Sequence, residues 1–254
     1  MGPWWGRVYY SSIVGFGERW LVRRLTQPSV KAALVLLGTV LLFFWDVLFG
    51  DKVLLPLDNL YLYPPWSDFA SQVGVTAPHN HLIGDMLLEN LLWKSLARDT
   101  VFSGALPLWN PYIFSGMPFM ATGQPGVLYP LGALFYVLPV MKAYGWFTAL
   151  HLFLAGMFTY AFMRVLGVKW LGSMVAALTY VFSGFMVVSL IWPMVVSTVT
   201  WLPLILALIE LIIREFERGT GPMPSVQTGA GEALKLSAFD VPRLPRVILW
   251  SLLM

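Results

Sequence analysis

Apolar residues run along this chain in blocks, separated by stretches whose polar positions follow no helical period. Four blocks, residues 32–49, 144–163, 171–191 and 195–213, have the composition of membrane-crossing helices, for which about 20 apolar residues cover a hydrocarbon core of ~30 Å. A fifth block, 127–141, is bracketed by Pro130 and Pro139. It is too short for a comfortable crossing, so a re-entrant or interfacial helix is expected there. Between the first two spans, residues 50–143 form the one long stretch that is too polar for a bilayer core, yet too aromatic and proline-rich for a disordered linker. Within it, residues 82–98 have helical composition and no Pro or Gly after Gly84, which predicts a helix lying along the membrane surface. At 3.6 residues per turn Asp85 and Glu89 share one side of that helix and Lys94 falls roughly opposite. The expected fold is an all-α polytopic membrane protein with a large first loop.

Composition strengthens the membrane expectation. The chain is 58% hydrophobic and 11% charged, against about 25% charged residues in soluble domains. Its 12 Trp and 10 Tyr suit a headgroup boundary. The absence of cysteine excludes disulfides, thiolate metal sites and a cysteine nucleophile. A net charge of +3 does not point to nucleic acid, because the basic residues flank the apolar blocks as topology signals do.

The charge distribution orients the chain. Arg7, Arg19, Arg23, Arg24 and Lys31 against Glu18 place residues 1–31 on the cytoplasmic side or its interface, and nothing there resembles a cleavable signal peptide. The first loop carries Asp51, Asp58, Asp68, Asp85, Glu89 and Asp99 against Lys52, Lys94 and Arg98, which fits an external face. If 127–141 does not cross, Arg164, Lys169 and the bases of 214–246 all fall inside. Residues 214–246, rich in Gly and Pro, read as a cytoplasmic linker. Residues 247–254 begin an apolar segment that eight residues cannot complete, as expected of the N-terminal portion of a longer protein.

Familiar catalytic motifs are missing: there is no Walker loop, no GxSxG elbow and no HExxH. His79 and His81 are two apart in a proline-flanked loop with no placed third ligand, so a divalent metal is possible but not supported, and no cofactor is expected. Asp58 and Asp85 are the better candidates. Each is a carboxylate on a loop at the membrane boundary that could serve as general base toward an acceptor hydroxyl. Each also has a plainer reading, Asp58 as a turn former before Asn59 and Asp85 as a helix-start acid. His151, inside the second span, reads either as a proton relay or as a hydrogen-bonded packing residue.

Residues 106–130, LPLWNPYIFSGMPFMATGQPGVLYP, are preceded by the Asp-bearing helix and followed by LHLFLAGMFTYAFMRVLG and ALTYVFSGFMVV. This order of WNP, GxP, Q and YP elements resembles the YfhO-like bacterial membrane proteins, a branch of the GT-C glycosyltransferase superfamily. The resemblance runs from about Ala32 to Ile213. It implies a multi-pass enzyme of the bacterial plasma membrane with a GT-C-like helix bundle. Such an enzyme takes a sugar from a polyprenyl-phosphate donor and attaches it to a cell-envelope glycan or lipid acceptor on the external face. It further implies an essential acid in the first external loop, matched by Asp85 first and Asp58 second. Lys94 and Arg98 are the basic residues placed to meet a donor phosphate, and the amides of Asn110 and Gln124 can meet phosphate or sugar. The signature residues also have a plain role, folding the loop onto the membrane. The turn at 189–194 lacks the acids that metal-dependent relatives carry. A lipid-carrier transporter or flippase, or a non-catalytic assembly subunit, is the alternative.

Overall fold

A computed structural model describes residues 30–219. The N-terminal stretch up to residue 29, the linker beyond residue 219 and the apolar segment 247–254 lie outside the described residues. The described chain is mostly helical, with one short pair of strands.

The first apolar block forms α1 (Val30–Phe43) and the single turn α2 (Trp45–Leu48). Ala32, Leu36, Val40, Phe44 and Leu48 are buried. Their spacing of four puts all five on one stripe of a helix, and that stripe faces α5 (Val140–Val165). The opposite faces remain apolar and uncovered: Leu34 is 61% and Leu42 76% exposed.

The helix α5 is the hub of the bundle. It packs against α1, against α6 (Trp170–Val181) and against α8 (Pro193–Val199). Two glycines permit this closeness. A Cβ on Gly145 would strike the Val47 side chain, and one on Gly156 would lie 3.1 Å from both Leu36 Cδ2 and Val181 Cγ2. Small residues at such crossings let backbones approach.

Among the described residues two helices are long and apolar enough to cross a membrane, Val140–Val165 and Pro193–Phe216. The first contains the expected span 144–163, and the second the expected span 195–213. The second is interrupted: α8 ends at Val199, Thr200 and Trp201 form a turn, and α9 (Leu202–Gly219) follows. Pro203, in the first turn of α9, has no N–H to continue the ladder. The expected span 171–191 is broken as well. After α6 the chain extends at Ser183, whose Oγ accepts from the Met186 N–H (3.3 Å) and so caps a separate short helix, α7 (Gly184–Ser189).

Residues 51–139 fold as short turns. Leu57–Leu62, Trp66–Val73 and His81–Ile83 are 3-10 helices. Asp85 then opens a continuous helical run, a π turn at Met86–Asn90 leading into α3 (Leu91–Phe102). The run is shifted a few residues C-terminal of the expected 82–98. A hairpin follows, β1 (Trp109–Asn110) antiparallel to β2 (Met117–Pro118). The block expected to form a helix over 127–141 is helical only through a 3-10 turn, Pro130–Ala133, and α4 (Leu134–Val137). Leu138 is extended, as a residue before proline prefers, and α5 starts afresh after Pro139.

Candidate functional site

Asp58 lies in the Leu57–Leu62 turn behind Pro56, and His79 lies in the turn that leads to the surface helix. One carboxylate oxygen, Asp58 Oδ2, accepts both the backbone N–H of His79 (2.7 Å) and its ring Nδ1 (2.9 Å). The next residues repeat the pairing: Asn59 Nδ2 donates to the Asn80 carbonyl (2.9 Å), and Asn80 Oδ1 accepts from Leu82 N–H (3.0 Å). Two turns 21 residues apart are thereby joined in register. The His79 backbone N–H, with the ring adding to it, holds the Asp58 carboxyl below the usual carboxylate range, while partial burial works the other way. An ionised carboxylate can only accept, so Nδ1 carries the proton and Nε2 is left as the acceptor of the neutral ring. The imidazole is 99% exposed. This is an Asp-oriented histidine, the arrangement that makes a ring nitrogen a directed proton acceptor. Considered separately, Asp58 and His79 look like an acid and a weak metal ligand; their pairing is what sequence reasoning missed. Among the described residues no three metal-ligating side chains converge.

Asp85 opens the helical run that leads into α3 and is exposed, with no capping hydrogen bond. The outer side of that helix and the hairpin enclose a half-open groove of about 790 Å³. Glu89 and Asp99 contribute carboxylates to it, and Trp93, Tyr112 and Phe114 contribute aromatic surface. Asn110 also lines the groove and is only 4% exposed. Its Oδ1 accepts from Tyr112 N–H (2.9 Å), which fixes the amide orientation and closes an Asx turn. The hairpin tip is tightly constrained. Phe114 and Ser115 have φ of 52° and 59°, and Gly116, at φ 108°, lies so close to the Trp109 indole that a Cβ there would sit 2.6 Å from Nε1.

The remaining candidates hold the scaffold. Lys94 is buried, donates to the Pro125 carbonyl (2.6 Å) and sits 4.7 Å from the centre of the Phe135 ring. Burial pulls its pKa down to about 8. Arg98 donates to the carbonyls of Phe135 (3.1 Å) and Leu138, closing the C-terminal end of α4. Gln124 is exposed beside Pro125. Neither Lys94 nor Arg98 lines the groove. Lys142 behaves similarly, donating to the carbonyls of Gly50 and Lys52.

His151 is fully buried. Its Nδ1 meets the Phe147 carbonyl (2.7 Å), so Nδ1 donates and Nε2 accepts from the Tyr129 hydroxyl (2.7 Å). Trp201 Nε1 donates in turn to that hydroxyl (3.0 Å). Every polar atom of the ring is satisfied within the protein, which favours its packing role over a relay. Comparison with known protein families, with curated proteins and with solved structures found no match.

Proposed function

We propose that this chain is a membrane-embedded glycosyltransferase of the GT-C type, moving a sugar from a polyprenyl-phosphate donor to a hydroxyl of a cell-envelope acceptor at the external face of the bacterial plasma membrane. The observation that carries the reading is the Asp58–His79 pair, a polarised histidine on a polar, turn-rich stretch that joins apolar helices. The uncovered apolar faces of α1 and α9, including Leu34, Leu42, Ile205 and Ile209, suit contact with lipid tails, where the polyprenyl chain of the donor would lie.

The acceptor hydroxyl approaches His79 Nε2. Its proton passes to that nitrogen as the oxygen pair forms a bond to the anomeric carbon, and the bond from that carbon to the phosphate oxygen breaks. Polyprenyl phosphate leaves with the bonding pair. Asp58 keeps the ring in the productive tautomer and offsets the imidazolium charge. Lys94 and Arg98 are given no part in phosphate binding, since their donors already serve backbone carbonyls. Asp85 is the competing proton acceptor.

The test is sugar transfer from a polyprenyl-phosphate sugar by the chain in lipid nanodiscs. Removing a general base lowers turnover by about 10²- to 10⁴-fold, which is the loss expected for His79→Gln, with Asp58→Asn also impaired and Asp85→Asn close to wild type. Undiminished turnover in His79→Gln sinks the dyad assignment. Loss confined to Asp85→Asn moves the base to Asp85.

A further inference from the structure

The groove between the surface helix and the hairpin is distinct from the Asp58–His79 pair, since neither residue lines it. Its chemistry is unusual in having carboxylates and aromatic rings but no basic side chain. Glu89 and Asp99 are both exposed on its helical wall. Ten residues separate them, about 15 Å along a helix axis at ~1.5 Å per residue. One small cation therefore cannot engage both, whereas a short polymer bearing an ammonium group on successive units can.

Two further observations narrow the ligand. Asn110 is only 4% exposed, and its side-chain oxygen is committed to the Tyr112 N–H. The orientation thus fixed leaves Nδ2, for which no hydrogen-bond acceptor is seen among the described residues, as a donor at the groove, suited to a hydroxyl or ring oxygen. Opposite the helix, Tyr112 and Phe114 are 81% and 87% exposed. The backbone turns left-handed at Phe114 and Ser115, and the exposed rings present flat apolar faces of the kind that stack on the C–H face of a pyranose and also attract cations.

We propose that this groove binds an oligosaccharide of N-unsubstituted amino sugars. Its ammonium groups pair with Glu89 and Asp99, a hydroxyl accepts from Asn110 Nδ2, and the ring faces lie on Tyr112 and Phe114. The inference deepens the sugar-transfer reading by naming an acceptor class and rests on it for context, but its test reads binding alone. A basic peptide would use the same carboxylates, yet it has less use for the Asn110 donor and the two flat rings.

Binding is measured by titration calorimetry on the chain in nanodiscs, in slightly acidic buffer, with a β-linked glucosamine oligomer, its N-acetylated counterpart of equal length, and oligolysine. Hydrogen bonds to charged groups are worth about 1.5–3 kcal/mol, roughly tenfold or more in affinity. The glucosamine oligomer is therefore expected to bind about tenfold more tightly than the acetylated one. Glu89→Gln and Asp99→Asn, both at exposed positions, should each erase most of that preference. Tyr112→Ala should weaken both sugars. His79→Gln should leave binding intact, so failed catalysis and failed recognition are separable. Equal affinity for the two sugars, absence of binding, or tighter binding of oligolysine overturns the proposal.

Discussion

Asp58 and His79 meet twice at one oxygen: the backbone N–H of His79 is 2.7 Å, and its ring Nδ1 2.9 Å, from Asp58 Oδ2. The two contacts have different consequences. The backbone bond fixes where the Asp58 turn sits against residues 79–80, and the ring bond decides which imidazole nitrogen is available to a substrate.

The pH dependence of stability follows from the same pair. The folded-state pKa of Asp58 lies below the ordinary carboxylate value, so the unfolded chain binds the proton more readily. The pair therefore stabilises fully above the ordinary value of about 4 and loses its contribution as pH falls through the lower folded value. Asp58→Asn should melt below wild type at neutral pH, and the gap should close on acidification below pH ~4. A gap that persists unchanged at acid pH would show that the contribution is not electrostatic.

Lys94 predicts the opposite end of the pH scale. Its folded pKa of about 8 lies below the ordinary lysine value of about 10.4, because burial disfavours the ammonium. Between these values the unfolded chain holds a proton that the folded chain has released. Stability is thus expected to rise with pH across that window. Lys94→Met should remove this rise in thermal unfolding followed from pH ~8 to ~10, while leaving the Pro125 carbonyl without its donor. An identical slope in wild type and variant would place the ammonium in water.

Much of this scaffold can be read in the residue pattern, and the limits are physical. The apolar block 32–49 marks where α1 and α2 form, but these helices are apolar on nearly every face, so which stripe is buried shows only in the packing. The block 144–163 marks where α5 forms, while its place as the hub shows only in its packing. The breaks are harder to see. Ser183 and Gly184 look like part of a small-residue helix face, and only the extended backbone at Ser183 makes it a cap. Asp58 and His79 belong to non-periodic turns, where no spacing rule links residues 21 apart. Lys94 and Arg98 are visible as cations, but carbonyl partners such as Pro125 and Phe135 leave no mark in sequence.

Arg98 should control the end of α4. It bridges the carbonyls of Phe135 and Leu138, which otherwise have no helical partner at that terminus. Arg98→Met keeps an unbranched apolar stem but removes both donors, together with the guanidinium that lies 5.1 Å from the centre of the Phe102 ring. Faster amide exchange confined to residues 134–142 is expected, with α1 and α6 unchanged. Uniform acceleration across the bundle would mean that Arg98 acts on global stability instead.

The two crossing glycines give the most direct test of the bundle. A methyl at Gly145 meets Val47 beside its own β-branch, and one at Gly156 is caught between Leu36 and Val181 at 3.1 Å. At Gly145 the stiff Val47 side chain has to shift, so Gly145→Ala should destabilise by about 1–3 kcal/mol through overpacking, whereas at Gly156 the ends of Leu36 and Val181 need to give by only a few tenths of an ångström, so Gly156→Ala should cost less. Gly38, in α1, has nothing within 4 Å of its missing Cβ. There the same change only restricts the unfolded chain and removes a helix-breaking residue, so Gly38→Ala should stabilise by about 0.5–1 kcal/mol. Thermal unfolding of the three variants in one detergent separates the cases. A loss at Gly38 equal to that at Gly145 would mean that a partner covers this face of α1, and that helix-to-helix closeness is not what the glycines supply.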